Sequence, residues 1–258
     1  MRQWLVLTGF LFMVSGVNAQ SFFSPKPPTD TILQHWPQVD FIQIKDSSGF
    51  VLEEGYLKKG ERDGVWTTFH RSGVPHTVTS YRMGKKNGSS LKMGADGYLE
   101  ESATYMDDVL HGPFRTYLKG ARMGKEIYYK QGIEDGMRKV YYFDAGLQEE
   151  AEIRNGKRNG PTTWYYKNGQ KAVEYLYVND IAEGFSRTYS ENGQPNREGN
   201  FKNGLEEGLW KEFDNDGKLN AEGRYSLGLR EGVWKIYQQG ASPIPVEYQH
   251  GEAVNKSK

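Results

Sequence analysis

Cationic and aromatic residues separated by a single position recur along the chain, and this pattern could bind a ligand. The ring could stack on a flat group, and the cation could add ionic or cation–π contacts. Such a row could engage another protein, a cell-envelope polymer or a lipid surface. This cation–ring stripe comprises Arg115 with Tyr117, Lys139 with Tyr141, Arg187 with Tyr189, Lys211 with Phe213, Lys235 with Tyr237, and the ring of Tyr165.

The cation–ring stripe also has a purely structural interpretation. The rings could stack on one another as part of a core, and the long aliphatic stems of the cations could cover them. We favour this second interpretation, because rings recur at these positions along nearly the whole chain, whereas a binding patch needs them only locally.

Residues suited to catalysis or metal binding form no recognisable site. None of the histidines belongs to an HxH or HExxH pair, and the sequence contains no GxSxG, P-loop or GxGxxG motif. Isolated histidines are more often surface or turn residues than metal ligands. We therefore expect no enzyme activity, no catalytic residues, no metal and no cofactor. The five histidines are His35, His70, His76, His111 and His250.

The elements that position these residues are set by a repeat of 24 residues. Eight glycines are spaced at this interval, and a fixed period between 20 and 50 residues indicates a repeat array. Positions are numbered below relative to this repeat glycine, which is position 0. The repeat glycines are Gly64, Gly88, Gly112, Gly136, Gly160, Gly184, Gly208 and Gly232.

Each repeat carries two turn signals and therefore two strands. Strings such as GERDG (60–64) before the repeat glycine, and HRSG (70–73) after it, contain glycines that tolerate positive φ. Strands joined by such short turns must be antiparallel. We predict an all-β fold, an elongated single-layer antiparallel meander of about eight stacked β-hairpins, with no helix in the array.

The pattern within the strands predicts two different faces. Position −7 is apolar or aromatic in every repeat, as in Tyr81 and Phe201, and position −9 on the same face is often small, as in Gly55 and Gly199. We expect this small residue to let the −7 ring beside it lie flat over the backbone of the neighbouring strand. Glutamates at position −10 and cations at position −6 predict a solvated opposite face.

Composition excludes several classes of protein. The chain has 33 Lys+Arg and 33 Asp+Glu, so it lacks the basic surface of a nucleic-acid-binding protein. It has no cysteine, which excludes disulfides, thiolate metal sites and a lipoprotein anchor. Only 36% of residues are hydrophobic but 14% are aromatic, which suits a thin sheet whose core is a row of rings.

The ends of the chain predict export and two flanking segments. Arg2, an apolar run and Val17-Asn18-Ala19 have the pattern of a secretory signal peptide over 1–19, and the run is too short to remain as a transmembrane anchor. The protein would then be periplasmic or extracellular, with no transmembrane segment after cleavage. Residues 20–38 are predicted as a Pro-rich extended leader, 39–252 as the repeat array and 253–258 as a disordered tail.

The repeat strings resemble a known family. EGYLKKGERDG (54–64), EGNFKNGLEEG (198–208) and EGRYSLGLREG (222–232) are similar to the MORN repeat. The spacing and the strings WTTFHRSG and WKEFDNDG resemble the bacterial MORN variant of the YwqK family, whose members are often labelled antitoxins. The resemblance covers residues 49–252 and implies a β-hairpin array without catalysis that contacts proteins or membrane surfaces.

We therefore expect a non-catalytic exported scaffold that binds a protein or an envelope surface. One alternative is an envelope immunity protein, similar to an antitoxin, that neutralises a single toxin. A carbohydrate-active envelope enzyme is a further alternative, and it would require an acidic cluster that breaks the 24-residue pattern.

Overall fold

The computed structural model describes residues 31–36, 39–238 and 240–254, and these are all-β. They form 23 strands and contain no helix. Consecutive strands pair in antiparallel fashion, which confirms the predicted meander of hairpins. In this part of the chain no helix is long and apolar enough to cross a membrane. The predicted signal peptide lies outside the described residues, as does most of the tail.

The described residues divide into two compact units. Unit 1 extends to His111 and also includes 119–121, and unit 2 comprises 112–118 and the residues from Arg122 onward. The strands of unit 1 are β1 (Thr31–Trp36), β2 (Val39–Lys45), β3 (Val51–Lys58), β4 (Glu61–Phe69), β5 (Pro75–Arg82), β6 (Lys85–Met93), β7 (Leu99–Met106) and β8 (Val109–Leu110). Strand β1 lies within the segment predicted as an extended leader and pairs with β2.

Unit 2 repeats the same hairpins. Its strands are β9 (Gly112–Leu118), β10 (Arg122–Lys130), β11 (Ile133–Glu134), β12 (Gly136–Tyr141), β13 (Leu147–Arg154), β14 (Lys157–Tyr165), β15 (Lys171–Val178), β16 (Ile181–Ala182), β17 (Gly184–Tyr189), β18 (Pro195–Lys202), β19 (Leu205–Phe213), β20 (Leu219–Ser226), β21 (Leu229–Ile236), β22 (Ile244–Gln249) and β23 (Glu252–Ala253). The last hairpin covers the C-terminal edge, because β23 pairs with β22 at Tyr248 and Gln249.

The turn before the repeat glycine is tighter than the glycine pattern indicates. Its two central residues, at −5 and −4, both have positive φ, as in Lys59 (54°) and Gly60 (82°). Two such residues define the type I′ turn that matches the twist of a hairpin. Asp108 and Asp180 replace glycine at −4 and also adopt positive φ, 69° and 68°. Aspartate tolerates this conformation better than most residues, which explains the two exceptions.

The repeat glycine lies inside a strand, and the prediction that it closes the turn is wrong. Gly64 is the fourth residue of β4, where the register with β3 shifts between Gly55 and Leu57. All eight repeat glycines have positive φ, from 69° to 132°. A bulge inserts an extra residue into one strand, and a left-handed conformation there favours glycine. Five of the eight glycines lie at such a register shift, and Gly112, Gly136 and Gly184 each begin a strand after a break. The 24-residue period is therefore the spacing of positive-φ glycines that interrupt the regular strand pairing.

In each unit the buried residues lie on one face of the sheet and include tryptophans, so we term this face the tryptophan face. Trp66, Trp210 and Trp234, at position +2, are almost completely buried. Each lies over a glycine at position −9, so close that a Cβ on Gly55, Gly199 or Gly223 would approach the ring to 2.2–2.4 Å. The prediction that the small residue at −9 lets the −7 ring lie flat is therefore wrong.

The −7 ring instead packs edge-on against the tryptophan. Phe201 meets Trp210 with ring centroids 5.4 Å apart and an angle of 87° between the rings, and Tyr225 meets Trp234 at 5.2 Å and 87°. The outer side of each tryptophan is covered by a guanidinium, as in Arg230 over Trp234 at 4.1 Å. The tryptophan is thus enclosed by glycine, rings and arginine within one sheet.

Candidate binding surface

All members of the cation–ring stripe lie in unit 2, on the face opposite the tryptophans. The +3 cations on this opposite face stand in register with −10 glutamates of the neighbouring strands, and Glu126, for example, pairs with both Arg115 and Lys139. Charges of alternating sign therefore cross the sheet in one row, interrupted once by Thr163. This charge ladder comprises Arg115, Glu126, Lys139, Glu150, Thr163, Glu174, Arg187, Glu198, Lys211, Glu222 and Lys235.

Ion pairs connect many of the ladder charges. A guanidinium nitrogen of Arg115 lies 2.6 Å from Oε1 of Glu126, and Nζ of Lys139 lies 3.3 Å from Oε2 of Glu150. The hydrogen bond to Glu126 raises the pKa of Arg115, and the bond to Glu150 raises that of Lys139. Partly exposed pairs of this kind each stabilise the fold by less than about 1 kcal/mol. The register pairs the −10 glutamates with these +3 cations and not with the −6 cations of the same face.

Hydroxyl groups of the stripe also bond to the ladder. Tyr237 donates to Oε1 of Glu222 at 2.9 Å, and Tyr189 donates to Glu174. The hydrogen bond to Glu222 raises the pKa of Tyr237, and burial does the same for Tyr189. Both rings are half-buried. The polar groups of these two tyrosines are therefore engaged within the chain.

A second row on the opposite face of unit 2 is apolar and exposed. It occupies positions +1 and −8, one step along the strands from the charge ladder, where Leu209 pairs with Arg224 and Phe185 with Asn200. The exposed fraction of its large members is 39–59%. Polar residues at −8, such as Glu152, Asn200 and Arg224, stand between some of these apolar side chains. Several large apolar side chains exposed on one face and bordered by polar residues are typical of an interaction site. This apolar row consists of Tyr128, Met137, Leu176, Phe185, Leu209 and Val233.

Sequence reasoning missed the apolar row. The signal was the +1 position, which is apolar at Met137, Phe185, Leu209 and Val233. The alternation that placed rings on one face assigned +1 to a solvated face and gave no reason to expect large hydrophobic residues there. Large hydrophobic residues on a solvated strand face indicate a binding role, because folding does not require them there.

The corresponding row in unit 1 is apolar only in its first half. It begins with Phe41, Tyr56 and Val65, of which Val65 is 49% exposed, and continues across the sheet with Ser80, Ser89 and Thr104. In place of charges, the row equivalent to the ladder holds Thr67, Val78, Leu91 and Ser102. The combination of an apolar row with a charge ladder is therefore confined, among the described residues, to unit 2.

The structure assembles no metal-binding group in the part that it describes. No group of three or more His, Cys, Asp or Glu side chains there could hold a metal ion. His70 and His76 come together across a turn with ring centroids 4.4 Å apart, and Nε2 of His70 lies 2.9 Å from the carbonyl oxygen of Met93. The side chain of His35 lies outside the described side chains.

Comparison with protein families identifies the repeat type in unit 2. Three segments, residues 158–179, 183–203 and 206–226, match the family described as MORN repeat variant. These segments include Leu176, Phe185 and Leu209 of the apolar row. No curated protein matches the chain significantly. MORN repeats are generally binding or scaffold modules and are typically non-catalytic. Unit 2 thus contains three segments that match this family, and three of the six apolar-row residues lie in them.

Proposed function

We propose that the chain is a non-catalytic scaffold that binds another protein through the opposite face of unit 2. The apolar row carries this proposal: six large apolar side chains are exposed on one face of a sheet whose core is already complete on the other. Aromatic and aliphatic side chains at the centre of a patch supply most of the binding energy of a protein interface.

The charge ladder supports a protein partner over a polymer or a lipid surface. Its five cations are balanced by five glutamates, so the face has no net charge of either sign along this row. A lipid surface with anionic headgroups is recognised by clustered cations, which the alternation of signs does not supply. Alternating charges beside apolar side chains instead suit another protein surface, where they set register and exclude mismatched partners.

A photo-crosslinking amino acid at Phe185, introduced in the native host, tests this function. We expect a discrete crosslinked protein band, because Phe185 lies at the centre of the apolar row. The matched control is the same crosslinker at Ser89, which occupies the same repeat position in unit 1. Identical products at both positions would contradict the proposal. Crosslinks to polysaccharide or lipid at Phe185 alone would replace the protein partner by an envelope surface.

We also propose that the scaffold acts after export. This rests on the signal-peptide pattern of residues 1–19 and the absence of cysteine. Intact-mass measurement of the chain recovered from an envelope fraction should show a mature protein beginning at Gln20. Full-length protein confined to the cytoplasm would contradict export without affecting the binding surface.

A further inference from the structure

We propose that two copies of this chain associate through the opposite faces of their second units, about a two-fold axis that runs parallel to the strands between β17 and β18. This inference rests on the proposed function, since it names the partner that covers the apolar row. It follows from how the side chains on four consecutive strands are ordered. Their order across the sheet is β15, β17, β18 and β19.

The proposed axis brings apolar side chains together. Rotation about an axis along the strands preserves the position of each residue along its strand, so every row faces the same row of the second copy. Strand β15 then lies against β19 of the second copy, and β17 against β18. Leu176 therefore faces Leu209 of the second copy, and the reverse contact repeats it, because a two-fold interface is self-complementary. The ring of Phe185 faces Asn200 of the second copy.

The same axis brings opposite charges together. Outgoing strands carry the cations of the ladder and incoming strands carry the glutamates. An axis between two neighbouring strands therefore places each kind against the other, so Glu174 faces Lys211 of the second copy and Arg187 faces Glu198 of the second copy. An axis perpendicular to the strands that runs along the ladder would instead place every ladder charge against the same charge of the second copy. Such juxtaposition is strongly unfavourable, so the ladder selects one orientation.

The interface is small, and the dimer should be weak. The contact involves six neighbouring strands, namely β14, β15, β17, β18, β19 and β20. They span about 29 Å at a strand spacing of about 4.8 Å, and six residues along each strand span about 20 Å. Each copy would then bury on the order of 600 Å², near the lower limit for a specific interface. The right-handed twist of the sheet prevents a longer contact. We therefore expect a dissociation constant in the micromolar range, with the charges contributing register more than affinity.

Unit 1 lacks the charge pattern of this contact. Half of its corresponding row consists of Ser80, Ser89 and Thr104, and the row equivalent to the ladder has no alternating charges. The same repeat therefore supplies a control surface within the same chain. Val65 is exposed to a similar extent as Phe185 and has the same repeat position.

Sedimentation velocity of the purified full chain, over a concentration series from micromolar to submillimolar, tests the dimer. We expect the wild type and Val65→Ser to show a rise in sedimentation coefficient with concentration, and the double variant Leu176→Ser/Leu209→Ser to remain monomeric. Both leucines are more than two-fifths exposed, so the fold should tolerate their loss, which circular dichroism can verify. A wild type that stays monomeric throughout, or a double variant that still dimerises, would overturn the inference.

A charge swap tests the orientation of the two copies. Lys211→Glu should weaken the dimer at least tenfold, because a glutamate would then face Glu174 of the second copy, and adding Glu174→Lys should restore it. Within one copy these residues lie on β15 and β19, three strand spacings or about 14 Å apart, so only contact between copies produces rescue. Absence of rescue in a folded double variant would contradict the proposed axis. If the swap variants do not fold, the leucine variants decide.

Failure of this inference is distinguishable from failure of the proposed function. A monomeric purified protein whose Phe185 position crosslinks to a different protein in the host would retain the function and exclude the second copy as its partner. A monomeric protein without any crosslink specific to Phe185 would contradict both.

Discussion

The two units contain the same hairpin repeat, but they differ on the face that is not needed for the core. Both place tryptophan over glycine and arginine over tryptophan, as in Trp66 of unit 1 and Trp234 of unit 2. Both have repeat glycines of positive φ at β-bulges. On the opposite face, unit 2 alone combines exposed apolar side chains with alternating charges. Features common to both units serve the fold, and the difference identifies the surface available for binding.

Replacing the buried tryptophans tests the feature that both units share, and we expect it to have the largest effect on stability. Trp66→Ala and Trp234→Ala should each lower the free energy of unfolding by about 3–5 kcal/mol, since each removes a buried ring that its glycine, arginine and neighbouring rings cannot replace. Trp164, at position +4, contacts Tyr175 with ring centroids 6.0 Å apart and is half-buried, so Trp164→Ala should cost less. Urea denaturation measures all three. Equal losses for the three would show that the +2 position has no special role.

The two units also differ in how many arginines bind an equivalent glutamate on the tryptophan face. Glu149 accepts hydrogen bonds from Arg138 at 2.8 Å and Arg158 at 3.2 Å. Its counterpart in unit 1, Glu53, binds only Arg62 among the ion pairs of the described residues, at 2.9 Å. Glu149→Gln should therefore destabilise by about 1–3 kcal/mol, and Glu53→Gln by less, because one guanidinium loses its partner instead of two. A larger loss for Glu53→Gln in urea denaturation would reverse this assignment.

Much of this architecture could be predicted from sequence, because it depends on period. The repeat glycines and the rings at −7 recur at fixed intervals, so strand order, hairpins and antiparallel pairing follow without coordinates. The position of the turn does not follow. Glycines at −4 and 0 look alike in sequence. Gly60 nevertheless lies in the turn, whereas Gly64 lies in a bulge of β4.

The binding surface was harder to predict, because it depends on register between strands. A bulge shifts the pairing, so the −10 glutamate faces the +3 cation of the adjacent strand and not a −6 cation of its own strand. Exposure of the apolar row is likewise invisible to an alternation pattern, which assigns Leu209 and Val233 a face but not a solvent-exposed fraction. The cation–ring stripe was found because the rings at +5 recur along nearly the whole chain. The neighbouring apolar row was missed because its repeat positions are not regularly apolar, as Ser89, Pro113 and Pro161 show at +1.

The repeat glycines should show that the bulge is equally demanding in both units. Gly64→Ala in unit 1 and Gly208→Ala in unit 2 should each cost about 1–2 kcal/mol, because their φ values of 84° and 78° disfavour a Cβ. Space does not cause this loss, since a Cβ on Gly208 would contact nothing within 4 Å and one on Gly64 only a ring carbon at 3.8 Å. Thermal or urea unfolding measures the change. A neutral effect in one unit would mean that its bulge relaxes into a different register.

Acid should weaken unit 2 through its charge ladder, with the smallest effect of the series. The hydrogen bond from Tyr237 lowers the pKa of Glu222 below its ordinary value of 4.5. Burial tends to raise the pKa of Glu174, but hydrogen bonds from Lys171 and Tyr189 lower it overall. A carboxyl whose pKa is lower in the folded state stabilises the fold above its unfolded pKa. That contribution is lost as pH falls from about 4.5 through the folded pKa.

Glu222→Gln should therefore reduce the acid-induced fall in the unfolding midpoint, measured in urea from neutral pH to well below 4.5. Glu191→Gln is the matched control, since it removes the same charge from an exposed turn of unit 2 without touching the ladder. Unit 1 also contains such a carboxylate, because the hydrogen bond from Lys92 lowers the pKa of Glu100. Acid therefore acts on both units, and only the part removed by Glu222→Gln reports the ladder. An unchanged pH profile in this variant would show that the ladder determines register without contributing to stability.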